Sequence, residues 1–299
     1  MASIEGPQIS RATEGLVLPS HLRNVRGKLM IDPHYVSKEA RRGPYDIVMD
    51  FGASRAQLKD LVPESQRLKE NTGNITVLGF QQPEIRQAMA VITDLANDPN
   101  KNSENPNDRQ KYRESLGLVY YAMATDVTGW AGKDDVLIFS PMNGGIFVQD
   151  VFEEAGFAAS DFFKYRMSRV QGNDGGLMVG VTLGKNNPEI SSYRRFVFAD
   201  DCIASDISAF GTLEIIKEAL IAENISLSEA KVLFTVSAAT QRGLESLLSP
   251  ETRDHFGFAD MRAVTGISVY EMDGHFYLRD PDGRYVVGDM GNWTQPPTI

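Results

Sequence analysis

The chain carries a single cysteine, Cys202, in 299 residues. It can form no internal disulfide, so an oxidising compartment offers this fold nothing. Its four histidines, His21, His34, His255 and His275, have no mutual spacing that makes a metal site. No apolar run approaches the ~20 residues of a membrane span. The opening MASIEGPQIS lacks the basic start and apolar stretch of a secretory signal. A cytoplasmic protein without membrane contact is the expectation. Positive charge is also short: 30 Lys+Arg face 40 Asp+Glu, for a net charge of −10. Binding nucleic acid needs clustered Lys and Arg against phosphate, so a nucleic-acid partner is not expected. A small basic site for a phosphorylated metabolite remains open. Neither a P-loop nor a Gly-x-Ser-x-Gly elbow occurs.

What is present is the composition of a globular protein, 42% hydrophobic and 23% charged. That excludes a disordered or collagen-like chain. The length allows one large domain or two small ones. Residues 1–45 show no sustained period and read as an arm or irregular cap, with scattered Arg and Lys. Two β-then-α units follow. The run Asp46 to Phe51 ends at Gly52, and a second run, Ile75 to Phe80, leads into a helix from about Pro83 to Ala96. In that helix Ile85, Met89 and Ile92 share one face, and Pro83 suits the first turn. Residues 97–110 are almost purely polar and rich in Asn, which reads as a loop and the best boundary. A helix is expected over roughly 111–128. Three buried-type strands come next, at Val136–Phe139, Phe196–Ala199 and Val232–Val236, with Leu213, Ile216 and Leu220 marking the helix between the last two. This alternation predicts an α/β fold, a central parallel sheet flanked by helices. In such sheets ligands sit beyond the carboxyl ends of the strands.

The loop after Phe198 is the most informative of those ends. Two adjacent carboxylates, Asp200 and Asp201, close a buried strand. Ala204-Ser205-Asp206-Ile207-Ser208 then opens a helix, whose N-terminal N–H groups can hold an anion. An acid pair for a diol beside a phosphate turn suits a ribose 5-phosphate. The plainer reading makes the two aspartates strand-end polar groups and Ser208 a helix cap.

This stretch resembles the ribose-phosphate loop of type I phosphoribosyltransferases, and the order of motifs is similar to that of uracil phosphoribosyltransferases. Ser140-Pro141-Met142-Asn143-Gly144-Gly145 stands in the place of the family's pyrophosphate loop. Lys164-Tyr165-Arg166 stands where the family carries a Tyr-Arg. Residues 167–195 look like the hairpin flap that closes over substrate. Val232 to Glu245 is similar to the strand, Ala-Ala turn and helix after the phosphate loop. Asp282 to Asn292 resembles the C-terminal uracil-binding segment, where backbone groups read the pyrimidine edge. The resemblance covers roughly residues 116–295. It divides the chain into an N-terminal extension, 1–115, and a phosphoribosyltransferase-like core, 116–299.

The resemblance implies a pentosyltransferase of pyrimidine salvage. Asp200, Asp201 and Arg166 would be catalytic, with Mg²⁺ held at Asp200 and Asp201. Ala204, Ser205, Asp206, Ile207 and Ser208 would bind the 5′-phosphate. Asn143, Gly144, Gly145 and Arg166 would bind the pyrophosphate, and Val287, Gly288, Asp289, Gly291 and Asn292 the nucleobase. Partners would be phosphoribosyl pyrophosphate or a nucleoside monophosphate, a pyrimidine base, and further copies of the chain in a homo-oligomer. Three departures stand out. Asp206 and Ile207 replace two family glycines, Asn143 replaces an Arg, and Asn292 replaces the final Asp. A carboxylate ~4 Å from a phosphate costs on the order of 4 kcal/mol at an effective dielectric near 20. The alternative is therefore a non-catalytic nucleotide-binding or regulatory protein on the same fold.

Overall fold

The computed structural model describes residues 28–31, 46–50, 73–132, 135–141, 145–171, 177–183, 187–203, 207–269, 271–272, 278–279, 282–287 and 293–294. In chain order the elements are strands β1 (Lys28–Ile31), β2 (Asp46–Asp50) and β3 (Ile75–Val77), a helical turn α1 (Leu78–Gln81), then helices α2 (Pro83–Asn97) and α3 (Pro106–Ala131). Next come β4 (Val136–Pro141), α4 (Gly145–Glu154), β5 (Phe162–Gln171), β6 (Leu177–Leu183), β7 (Arg195–Ile203) and α5 (Ile207–Ala222). The chain continues through β8 (Lys231–Thr240), α6 (Gln241–Leu247), α7 (Pro250–Phe256) and β9 (Asp260–Val269) to the short pair β10 (Glu271–Met272) and β11 (Leu278–Arg279).

Among the described residues the main sheet has nine strands in the order β1-β2-β6-β5-β4-β7-β8-β9-β3. Strands β5, β4, β7, β8, β9 and β3 run parallel, whereas β6, β2 and β1 add on antiparallel. The expected parallel sheet flanked by helices is therefore present. Its central strands are covered on both faces. β4 is buried along its length, and so is β8 from Val232 to Thr240, as continuous apolar runs require.

The two faces carry different helices. Phe162 meets Phe152 of α4 edge to face at 6.5 Å, while Tyr165 bonds Thr212 of α5. Residues 162 and 165 differ in parity along β5, so they point to opposite sides. Helices α2, α3 and α4 pack together on one side, and α5 with α7 on the other. α5 is buried nearly all round because α7 covers its outer face, with Phe210 against Phe256 at 5.9 Å.

Several local expectations change. α3 starts at Pro106 rather than near 111, because the Asn-Pro cluster that looks like loop is a helix start. Asn105 accepts a bond from the Asn107 N–H, and Pro106 takes the first turn. The helix ends at Gly132, whose φ of 74° other residues rarely adopt. Residues 115 and 116 are consecutive within this one helix. The run 75–80 is a strand only to Val77, after which Leu78–Gln81 turns helical. The run 46–50 is a strand, but it pairs antiparallel with β1 and β6 rather than opening a β–α crossover. β5 and β6 form the expected antiparallel hairpin. Because β2 pairs along the far edge of β6, the hairpin is not an isolated two-stranded ribbon. No described helix is long and apolar enough to cross a membrane.

Candidate functional site

The strand registers build the site. Pro141, the last residue of β4, pairs with Tyr165 of β5. Phe139 pairs with Phe198 of β7, which sets Pro141 level with Asp200. Asp200 in turn pairs with Val236, and Val236 with Thr265. One residue further along every strand, Arg166, Asp201, Ser237 and Gly266 share the next level. Arg166 and Asp201 are two strands apart, a separation of about 10 Å between backbones. Arg166 of β5 and the pair Asp200 and Asp201 of β7 thus lie on either side of β4, at the carboxyl edge of the parallel strands.

Alternation along β7 divides the acid pair. Phe198 is level with Phe139 and Phe163, and Phe163 shares the parity of Tyr165, which bonds α5. Asp200 shares the parity of Phe198, so it projects toward the α5 side. Asp201 and Arg166 project toward the α3 and α4 side. Both aspartates are partly exposed, and Arg166 is exposed. Each carboxylate bends back onto the next peptide: the Asp201 N–H donates to Asp200 Oδ1 at 2.8 Å, and the Cys202 N–H to Asp201 Oδ1 at 2.8 Å.

Buried hydroxyls support this edge from both faces. Tyr120 of α3 donates to the Asp200 carbonyl at 2.6 Å, and Ser237 of β8 donates to the Asp201 carbonyl at 2.6 Å. Burial pushes the Tyr120 hydroxyl well above its ordinary range, with Asp201 and Asp200 adding to the effect. Burial does the same to Tyr165, with Asp200 adding to it. Tyr165 shares a 2.8 Å bond with Thr212, and Thr212 donates to the Ser208 carbonyl at 3.0 Å. That chain ties β5 to the first turn of α5, where half-buried Ser208 sits.

The C-terminal segment lies on α2 and α3. Thr93 donates to the Val286 carbonyl at 2.9 Å, and Asn97 bonds both the N–H and the carbonyl of Tyr285. Tyr112 donates to the Val287 carbonyl at 2.6 Å and stacks on Trp293 at 4.9 Å between centroids. Val287 itself is buried, which makes it an anchor of this segment on α3. Tyr112 and Tyr120 are eight residues apart on one helix, a rise of about 12 Å. α3 therefore links the C-terminal segment to the acid pair.

Other candidate residues lie outside the described positions: Asn143 and Gly144, then Ala204, Ser205 and Asp206, and finally Gly288, Asp289, Gly291 and Asn292. Gly145 and Ile207 are described as backbone only, at the first positions of α4 and α5. Sequence reasoning missed Tyr112 and Tyr120, and it named Tyr165 and Ser237 only within longer motifs, with no role of their own. The one available signal was the apolar stripe on which both α3 tyrosines fall. A buried tyrosine needs a partner for its hydroxyl, but the stripe does not say which.

Among the described residues no group of three or more His, Cys, Asp or Glu could hold a metal, so there is no all-protein cage. Mg²⁺ suits a different arrangement, one or two carboxylates completed by substrate phosphates and water. Because Asp200 and Asp201 project from opposite sides of β7, they fit the single-carboxylate form of that role, one aspartate at a time, rather than a joint pair. A groove of about 860 Å³ lies elsewhere, between α3 and α4. Its charged lining, Arg109 and Arg113 against Glu104, Glu114, Asp150 and Glu154, is net acidic and does not suit a sugar phosphate.

No protein-family model matches the chain, and no curated protein matches it. Among solved structures, the chain is similar to a purine phosphoribosyltransferase from Pyrococcus horikoshii, at 16% identity over 52% of this chain and 86% of that one, with a TM-score of 0.29. It is also similar to a hypoxanthine-guanine phosphoribosyltransferase from Bacillus anthracis, at 13% identity over 54% of this chain and 80% of that one, with a TM-score of 0.31. Likenesses this loose identify neither a family nor a substrate.

Proposed function

We propose that the chain transfers a phosphoribosyl group between phosphoribosyl pyrophosphate and a nucleobase, uracil or a related pyrimidine. The observation that carries this reading is the level shared by Arg166 and Asp201 at the carboxyl edge of the sheet, next to the crossover from β7 into α5. A separation of about 10 Å leaves room for a ribose between a cation and an acid.

In this reading the C1–oxygen bond to the diphosphate loosens before the base nitrogen closes on C1, so positive charge develops on the sugar. Arg166 donates to the departing diphosphate through its planar fork. Asp201 offsets the charge on the ring from the same face, and Asp200 meets the sugar hydroxyls from the α5 side. Ser208 and the start of α5 receive the 5′-phosphate, joined by Ala204, Ser205, Asp206 and Ile207. Asn143, Gly144 and Gly145 line the diphosphate, and Gly288, Asp289, Gly291 and Asn292, following Val287, hold the base. Asp200 or Asp201 would hold Mg²⁺, which would supply positive charge to the diphosphate.

The test is to incubate the full chain with Mg²⁺, phosphoribosyl pyrophosphate and a panel of pyrimidines and purines. Release of pyrophosphate with one base supports the reading. Release with none overturns it. The second reading, nucleotide binding without turnover, is favoured by Asp206, a carboxylate where a phosphate would sit. Calorimetry with uridine 5′-monophosphate separates the two, since that reading needs binding in the absence of turnover.

A further inference from the structure

The two peptide groups that carry the acid pair are each held at both ends. The peptide joining Asp200 to Asp201 has its carbonyl bonded by the Tyr120 hydroxyl and its N–H by the Asp200 carboxylate. The peptide joining Asp201 to Cys202 has its carbonyl bonded by the Ser237 hydroxyl and its N–H by the Asp201 carboxylate. Both hydroxyl-bearing residues are fully buried, at 0% exposure. They come from separate elements, α3 and β8, and their side chains also meet each other, so the two grips form one linked pair.

We infer that Tyr120 and Ser237 are positioning residues, which orient the carboxylates of Asp200 and Asp201 by fixing the planes of the two peptides those carboxylates bond. A buried hydroxyl on a carbonyl resists rotation of the whole peptide, because the amide is planar. The N–H at its other end then has one direction, and the carboxylate that accepts from it is held in turn. Only the kinetic consequence rests on the transferase reading. The geometry stands apart from it.

The experiment compares the full wild-type chain with Tyr120→Phe, Ser237→Ala and Ser237→Thr. Amide hydrogen exchange at Asp201 and Cys202 is the first readout, with Leu233 and Phe234 in β8 as reference. Losing one hydroxyl is expected to speed exchange at its own peptide by roughly five- to tenfold, with the reference amides unchanged. Ser237→Thr keeps the hydroxyl and is expected to restore protection. The second readout is pyrophosphate release: kcat is expected to fall by roughly ten- to a hundredfold, as for a misplaced reacting group, with KM within about threefold. Should Tyr120→Phe not fold, Ser237→Ala reads the same proposal through the second peptide. Unchanged exchange at both peptides overturns the inference. A wild-type chain that transfers to no base overturns the transferase reading instead, and the exchange result alone then decides this one.

Discussion

The carboxyl edge of the sheet leaves no room at Gly266, and a single methyl there gives a quantitative test of the site's construction. A Cβ added at Gly266 would lie 2.5 Å from the Ser237 carbonyl oxygen, 3.1 Å from Val119 Cγ1 and 3.4 Å from Met89 Sδ. The first neighbour is backbone and cannot rotate away. Behind it, α1 also approaches closely, since a Cβ on Gly79 would meet the Gly266 carbonyl at 3.0 Å. Relief therefore requires β8 and β9 to separate at the level of Asp201 and Ser237. Overpacking of this kind costs about 1–3 kcal/mol, of which the lost chain entropy of glycine returns about 0.4–1 kcal/mol. Gly266→Ala is expected to lower the unfolding midpoint, by roughly 2–4 °C for each net kcal/mol. Gly117→Ala is the control. It lies inside α3, its added Cβ meets only Phe147 Cζ at 3.8 Å, and an alanine there is expected to stabilise by about 0.5–1 kcal/mol. Thermal unfolding followed by circular dichroism reads both. A Gly266→Ala chain more stable than wild type would refute the packing reasoning, because the added methyl would then meet no clash to offset the entropy it removes.

Other expectations follow from separate contacts. Removing His255 takes away the partner that the Glu214 carboxyl group, only 4% exposed, meets at 2.9 Å. His255→Ala is expected to cost about 1–3 kcal/mol in urea unfolding, and no loss would show that the hydrogen bond is not buried as described. Tyr165→Phe frees Thr212 and the first turn of α5, and is expected to weaken binding of a 5′-phosphate in calorimetry while β5 stays folded. Tyr112→Phe removes the Val287 bond but keeps the Trp293 stack, whereas Trp293→Ala does the reverse. Both are expected to speed proteolysis after Arg284, and no change in either would deny the anchoring role of α3. Burial raises the Asp126 carboxyl, so the folded chain holds that proton more tightly than the unfolded one. Its contribution is complete in acid and is lost as pH rises through the raised value. Asp126→Asn is accordingly expected to gain stability over wild type above that range and not below it.

The alternation of apolar runs with helical stripes, legible in the chain, determines the parallel sheet and its flanking helices. β4, β7 and β8 fall where continuous valine, leucine and phenylalanine runs demand strands buried on both sides. The rule that ligands gather beyond the carboxyl ends of such strands then isolates Asp200 and Asp201 as candidates, whereas Arg166 enters only through the resemblance to phosphoribosyltransferases. These are local properties, set by side-chain type and period. Which residues would brace those candidates is not local. Tyr120 and Asp200 are 80 positions apart, and Tyr112 and Val287 are 175 apart. No period in the chain distinguishes a tyrosine that merely fills a helix stripe from one whose hydroxyl meets a strand carbonyl. The start of α3 was misread for a related reason, since Asn105 and Pro106 signal a loop or a helix cap equally well until the following turn is packed. The division of Asp200 and Asp201 between two faces, the antiparallel seat of β2 against β6, and the absence of space at Gly266 depend on strand order and register. Only the packed sheet decides those, because they are relations between segments that the chain brings together when it folds.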